Sequence, residues 1–196
     1  LEIRIIGMGG SILGAKAIYN FLRVRKKFLF VDNLNSKLNL RKKNYLNLVI
    51  SKSGNTMETI ANSNLLLRKK DKNIFITENK QSYLYKLAKK LKSEIIEHNN
   101  FIGGRYSVLS EVGMLPAELM GFNPKKFRQL NNLIKNKKFI NALISNVSSI
   151  LSYTKNKKFN SIIINYDSNL SDLLEWYKQL VSESLGKKGK GILPII

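Results

Sequence analysis

Leu1-Glu2-Ile3-Arg4-Ile5-Ile6-Gly7-Met8-Gly9-Gly10-Ser11-Ile12-Leu13-Gly14 opens the chain and decides its fold class. The apolar run up to Ile6, with Ile3–Ile6 as its core, reads as a strand. Small residues follow at once, and a helical pattern then runs over Ser11–Leu22. Glycines between a strand and a helix let the backbone approach a ligand and point amide N–H groups at it. The spacing fits neither standard phosphate-binding turn. Ile12 stands where a dinucleotide fingerprint needs its third glycine. Gly9 and Gly14 have P-loop spacing, but Ala15 replaces the required Lys. A tight turn with no ligand fits this stretch equally well.

The strand-then-helix unit repeats outward from there. Strands are predicted at Phe28–Val31, Leu46–Ser51, Ile74–Thr77 and Glu94–Ile96, and helices at Thr56–Lys70 and Ser82–Leu91. Ser107–Met120 reads as helical despite Pro116, as do Lys125–Lys135 and Phe139–Tyr153. Ser161–Asn165 is a β-branched strand, and Leu170–Leu185 a helix ended by Gly186. Such alternation predicts an α/β protein: a parallel sheet with helices on both faces. Ligands of such sheets bind at the carboxyl ends of strands, which directs attention to the loops Gly7–Gly14, Ser51–Thr59 and Asn99–Tyr106. The polar, Lys-rich stretch Thr154–Asn160 precedes a fresh strand–helix unit. The expected division is therefore 1–155 for a first domain and 156–196 for the start of a second.

The 196 residues carry 34 Lys+Arg against 13 Asp+Glu, a net charge of +21. A nucleic-acid or anionic-membrane partner is one reading of that charge. The excess is mostly Lys, however, with 27 Lys to 7 Arg, and Lys, Asn and Ile together make 72 residues. These three share adenine- and thymine-rich codons. The basic residues are scattered as pairs, among them Lys42-Lys43, Lys89-Lys90 and Lys157-Lys158, with no Arg-rich stripe and no basic block with interleaved aromatics. The expectation is no nucleic acid and no membrane. No cysteine is present, which excludes disulfides, thiolate metal sites and Cys nucleophiles, and the single His98 excludes a multi-histidine metal site. Neither a transmembrane-length apolar run nor a signal peptide is apparent. The chain begins on Leu1 within a strand and stops on the apolar Gly191–Ile196, so it is expected to be a fragment.

Three further stretches carry chemistry. Ser51-Lys52-Ser53-Gly54-Asn55-Thr56-Met57-Glu58-Thr59 stands at a strand end entering a helix. The hydroxyls of Ser51, Ser53, Thr56 and Thr59, with a helix N-terminus, make a compact anion site. Asn55 and Glu58 also have capping-box spacing, but a cap needs one side chain rather than four hydroxyls, so the phosphate reading is preferred. Gly103-Gly104-Arg105 frees the backbone to place a guanidinium, a fixed charge suited to anionic oxygens. Gln179 and Glu183 are four apart and share one helix face. Glu183, near the negative end of the helix dipole, suits a base. An exposed Glu183 paired with Lys187 is the plainer alternative, and periodicity alone favours it.

In this order the stretches GMGGSILGAKA, VISKSGNTMET, GGRYSVLSEVGMLPAELMGF and EWYKQLVSESLGKKGKGILP resemble the glucose-6-phosphate isomerase (phosphoglucose isomerase) family nearly end to end. The resemblance implies a three-layer αβα sugar-isomerase (SIS) fold with a five-stranded parallel sheet, followed by the opening strand and helix of a second SIS domain. It implies interconversion of glucose 6-phosphate and fructose 6-phosphate through an enediol(ate), without metal or organic cofactor, by a cytoplasmic homodimer of glycolysis and gluconeogenesis. Ser51, Ser53, Thr56 and Thr59 match the phosphate-binding hydroxyls, with Lys52 in the same loop, and Gly10 and Ser11 match positions lining the sugar pocket. Arg105 matches the arginine that steadies the intermediate, Glu183 the base that moves a proton between C1 and C2, and Gln179 a residue that hydrogen-bonds substrate.

Asn55 stands where many members of the family carry Thr. The family's ring-opening His, supplied by the partner subunit, and its C-terminal Lys match nothing here. His98 is read as a loop histidine, and this stretch alone is expected to be inactive or nearly so. Two other functions fit the same motifs: a SIS module that binds a phosphosugar without chemistry, and a dual glucose/mannose phosphate isomerase.

Overall fold

In the computed structural model, which describes residues 2–34, 44–156 and 159–196, the opening strand β1 (Glu2–Ile6) lies inside a five-stranded parallel sheet. It pairs on one side with β2 (Phe28–Val31) and on the other with β3 (Tyr45–Ile50). Beyond β3 come β4 (Lys72–Thr77) and β5 (Glu94–Glu97). The order is β2-β1-β3-β4-β5, so the chain reverses direction across the sheet between β1 and β3. A crevice opens at the carboxyl ends of strands at such a switch point. Leu1, Lys42-Lys43 and Lys157-Lys158 lie outside the described residues.

Every residue of β3 is buried, as a central strand covered on both faces requires. One face packs Ile3, Ile5, Leu48, Ile50 and Ile76 against α1 (Leu13–Phe21) and α4 (Glu111–Leu119), through Ala15, Ile18, Val112, Met114 and Ala117. The other packs Ile6, Val31, Val49 and Phe75 against α2 (Met57–Leu66) and α3 (Tyr83–Lys90), through Leu66, Leu84 and Ala88. Helices on both faces of a parallel sheet make the expected three-layer αβα sandwich.

One polar ladder crosses this core. Arg4, Asn47 and Asn73 are register partners on β1, β3 and β4. Arg4 Nε donates to Asn47 Oδ1 at 2.8 Å, and Asn47 Nδ2 donates to Asn73 Oδ1 at 2.7 Å. Arg4 Nη2 also donates to the Leu66 carbonyl at 2.8 Å, tying the sheet to the end of α2. Burial lowers the guanidinium's pKa, and these bonds satisfy its Nε donor and one donor of Nη2.

Several element bounds differ from the sequence reading. The predicted helix Ser107–Met120 is a 3-10 turn over Gly104–Leu109 followed by α4. Ser110 separates them: it is extended, and its Oγ accepts from Val112 N at 3.4 Å as an N-cap. α2 ends at Leu66 rather than Lys70, because Leu67 is already extended. The predicted helix Lys125–Lys135 is two short ones, α5 (Pro124–Phe127) and α6 (Asn131–Lys135). α7 (Lys137–Lys155) follows, capped by Asn136 Oδ1, which accepts from Lys138 N and Phe139 N.

β6 (Asn160–Ile162) pairs in parallel with β7 (Leu193–Ile195) in a separate two-stranded sheet. Between them α8 (Ser171–Leu185) packs along α1. Lys16 on α1 stands 2.8 Å from Asp32 Oδ2 and 3.6 Å from Asp172 Oδ1, while Asn20 Nδ2 donates to Asp172 Oδ2. Burial opposes the charge on Lys16, but the two carboxylates outweigh it and raise its pKa. This contact brings the far end of α8 over the crevice.

Candidate active site

The glycine turn after β1 is the floor of the site. Residues Gly9–Ser11 form a 3-10 turn, with Ser11 N donating to the Met8 carbonyl at 3.0 Å. Gly9 has φ +51, and a Cβ there would lie 2.5 Å from Gln179 Nε2. A Cβ on Gly10 would lie 2.5 Å from the Gly104 carbonyl oxygen. The turn therefore touches both α8 and the Gly103-Gly104-Arg105 segment, and only glycine leaves room for that.

The hydroxyl loop joins β3 to α2 beside it. Ser51 is buried, and its Oγ shares a hydrogen bond of 2.9 Å with Thr56 Oγ1. Thr56, not Asn55, is the N-cap of α2, and its side chain makes no capping bond. Asn55 Oδ1 instead accepts from Tyr83 N at 2.9 Å, so the alternative Asn55–Glu58 capping box does not form. No side-chain cap thus occupies the N-terminus of α2. Thr59, in its first turn, has a buried Oγ1 with no hydrogen-bond partner, and Ser53 Oγ accepts from Asn55 N at 3.2 Å. Orphaned donors and an unpartnered hydroxyl at a helix start suit an oxyanion.

Lys52 is placed differently from its neighbours. Its Nζ donates to the Asn100 and Ile102 carbonyls at 2.8 Å each and stands 3.6 Å from Glu78 Oε1. Three acceptors match the three donors of an ammonium. The side chain thus ties the hydroxyl loop to the segment leading to Arg105 rather than joining the hydroxyl cluster. Lys80, with Lys52 beyond it, lowers the Glu78 pKa against the cost of burial.

Arg105 and α8 close the site. Arg105 Nε donates to Ser184 Oγ at 2.9 Å, and its Nη1 stands 3.5 Å from Glu183 Oε2. Gln179 Nε2 donates to Glu183 Oε1 at 2.9 Å. Glu183 thus faces Arg105 across the crevice instead of forming the exposed pair with Lys187. Its side chain is half exposed, accessible to a ligand. The buried Gln179 Oε1 and Ser182 Oγ have no partner.

Sequence reasoning missed Ser184, Tyr106 and Trp176. Tyr106 stacks under the Arg105 guanidinium at 5.0 Å, and its hydroxyl lies 2.7 Å from Ser184 Oγ. Those contacts, Ser184 first and Arg105 second, lower its pKa. Trp176 Nε1 donates to the Arg105 carbonyl at 3.4 Å. Adjacency of Ser184 to Glu183 was the one available signal, but the partner loop is distant in sequence. His98 stands in the loop after β5, as expected, but it is buried there at 1% exposed, with Nδ1 against Glu111 Oε1.

The geometry is therefore a carboxylate against a guanidinium, on a segment that Lys52 ties to the hydroxyl loop. A family model described as phosphoglucose isomerase matches residues 2–191. The chain belongs to the phosphoglucose isomerase family. Among its relatives, the glucose-6-phosphate isomerase of Methanocaldococcus jannaschii is 35% identical over all of this chain and 53% of its own length. That of Acholeplasma laidlawii is 38% identical over 97% of this chain and 52% of its own. The chain spans about half the length of the curated relatives it matches.

Solved structures agree on the fold. A hypothetical protein of Thermus thermophilus superposes with TM-score 0.78 at 25% identity, over 99% of this chain and 52% of that one. The tagatose-6-phosphate ketose/aldose isomerase of Escherichia coli gives 0.61 at 17% identity, over 98% and 55%. Among the described residues no helix is long and apolar enough to cross a membrane, and no group of three or more acidic or histidine side chains is placed to hold a metal ion.

Proposed function

We propose that the protein carrying this chain is an aldose–ketose isomerase that interconverts glucose 6-phosphate and fructose 6-phosphate. The ion pair between Arg105 and Glu183 carries this reading, with the Arg105 segment tied to the hydroxyl loop through Lys52. The names of the relatives give it its substrate.

In this reading Ser51, Ser53, Thr56 and Thr59 hold the phosphate at the start of α2, and Gly10 and Ser11 flank the sugar chain. Glu183 removes the proton from C2 of the open-chain aldose, which makes an enediolate, and returns it to C1. Arg105 stabilises the oxygen on which negative charge develops. Gln179 orients the Glu183 carboxylate. Carbonyl and hydroxyl exchange between adjacent carbons, so no external oxidant enters the balance. Lys52 serves as a strut from the hydroxyl loop.

The same proposal makes the enzyme a cytoplasmic homodimer. Residues 156–196 then open a second SIS domain, as the separate β6–β7 sheet suggests. Ring opening falls to residues that this chain does not match.

The experiment is a conversion assay on the complete polypeptide, with glucose 6-phosphate and mannose 6-phosphate as parallel substrates. Turnover of the first supports the proposal, and turnover of both makes the enzyme dual. Tight phosphosugar binding with neither conversion nor solvent-proton exchange into substrate overturns it in favour of a binding module.

A further inference from the structure

The segment that carries Arg105 is a 3-10 turn, held locally by Tyr106 N donating to the Gly103 carbonyl and Ser110 N to the Ser107 carbonyl at 2.9 Å each. It contains Gly103 and Gly104, and a Cβ on Gly104 would meet nothing within 4 Å. Phe101 at its tip is almost fully exposed. Yet the guanidinium must stand at one place opposite Glu183. Those local bonds shape the turn, and where the turn sits depends on how its two ends are tied to the sheet and to α4.

A buried contact joins those ends at the base of the segment. His98 follows β5, and its N–H donates to the Thr77 carbonyl at the end of β4 at 2.9 Å, which pins its backbone to the sheet. Its Nδ1 meets Glu111 Oε1, thirteen positions along the chain, at the first residue of α4. A carboxylate only accepts, so Nδ1 donates, in a charge-assisted hydrogen bond. Everything from Asn99 to Ser110, Arg105 included, runs between these two residues. Lys52 braces the same segment from the hydroxyl loop, and Ser107 Oγ donates to the Gly104 carbonyl from within it. His98 Nε2 is buried with no partner. The imidazole is thus sequestered at some desolvation cost and makes no hydrogen bond to Arg105, Glu183 or the hydroxyl cluster.

We infer that His98 and Glu111 are a positioning pair for the isomerase reaction: their buried contact closes the Asn99–Ser110 loop and sets where Arg105 stands. Neither residue touches substrate. This rests on the isomerase reading given above. Displacement of a charge-stabilising group by about 1 Å costs on the order of a hundredfold in rate. The phosphate-holding hydroxyls belong to another loop, fixed at its ends by β3 and α2 and joined to this one, among the described residues, only by hydrogen bonds of the Lys52 side chain. Loss of the contact therefore acts on turnover more than on substrate binding.

The test uses Glu111→Met and His98→Leu, which remove the contact from either side, and Glu111→Gln, which keeps an acceptor for Nδ1. All are made in the complete polypeptide. If one of the first two fails to fold, the other carries the comparison. The expected result is a fall in kcat of about tenfold or more in the contact-free variants, with KM within about threefold and recovery in Glu111→Gln. Hydrogen–deuterium exchange of amides 99–110 rises in the contact-free variants only, with β1 and β3 unchanged. Unaltered kcat, a KM that rises as much as kcat falls, or unaltered exchange over 99–110 overturns the inference. If the wild type shows no isomerase activity, the isomerase reading fails by itself, and the exchange difference alone decides whether the contact holds the loop.

Discussion

Arg105 Nη1 stands 3.5 Å from Glu183 Oε2, one residue on a glycine-flanked turn and the other near the end of α8. Ser184 completes the arrangement by accepting from Arg105 Nε. A guanidinium held through separate nitrogens has a fixed plane that an ammonium cannot reproduce. Arg105→Lys is therefore expected to lower kcat by about a hundredfold, near the loss from removing one oxyanion donor. Steady-state kinetics check this, and near-wild-type turnover in the Lys variant would remove Arg105 from the chemistry.

Gly54 has φ +66, and a Cβ there would lie 2.0 Å from Ser82 Oγ and 2.9 Å from Thr77 Oγ1. Gly54→Ala carries both a backbone penalty and a clash inside the hydroxyl loop. A loss of about 1–3 kcal/mol is expected. Denaturant unfolding reads the stability. The KM for a phosphosugar is expected to rise as well, since Ser51 and Thr56 flank the displaced backbone.

Glu78 gives a pH signature. Its folded pKa lies below the ordinary carboxylate value, held there chiefly by Lys80 and also by Lys52. The unfolded state therefore binds the proton first as pH falls. The stability this group adds is complete above the unfolded value near pH 4.5 and disappears as pH drops through the lower folded value. Unfolding midpoints between pH 7 and pH 3 are expected to fall less steeply in Glu78→Gln than in wild type. Equal slopes would show that Glu78 is not a source of acid lability.

The sheet was legible because its strands are short, β-branched and separated by turn residues, as in Ile3–Ile6 and Ile74–Thr77. The hydroxyl loop was legible because its chemistry is local: Ser51, Ser53, Thr56 and Thr59 lie in one run of nine residues. Other features depend on contacts between distant segments. Nothing near Lys52 announces Asn100 and Ile102 as its acceptors. The Glu183–Lys187 spacing is a sound local pair, but packing of α8 on α1 makes Arg105 the nearer partner. His98 reads as a loop residue because its neighbours Glu97, Asn99 and Asn100 are polar, while its burial comes from α4. The break at Ser110 was missed because helical periodicity runs through it, and only the capping geometry reveals the stop.

The central claim is that Glu183 moves the proton between adjacent carbons of a phosphosugar. Glu183→Gln in the complete polypeptide tests it most directly, since the amide keeps the shape and the contact with Gln179 but cannot accept the proton. Conversion of glucose 6-phosphate and the dissociation constant for the same sugar phosphate are measured on one preparation. The account predicts a loss of turnover of about a thousandfold, with affinity within about threefold of wild type. Turnover at the wild-type rate in that variant would contradict it.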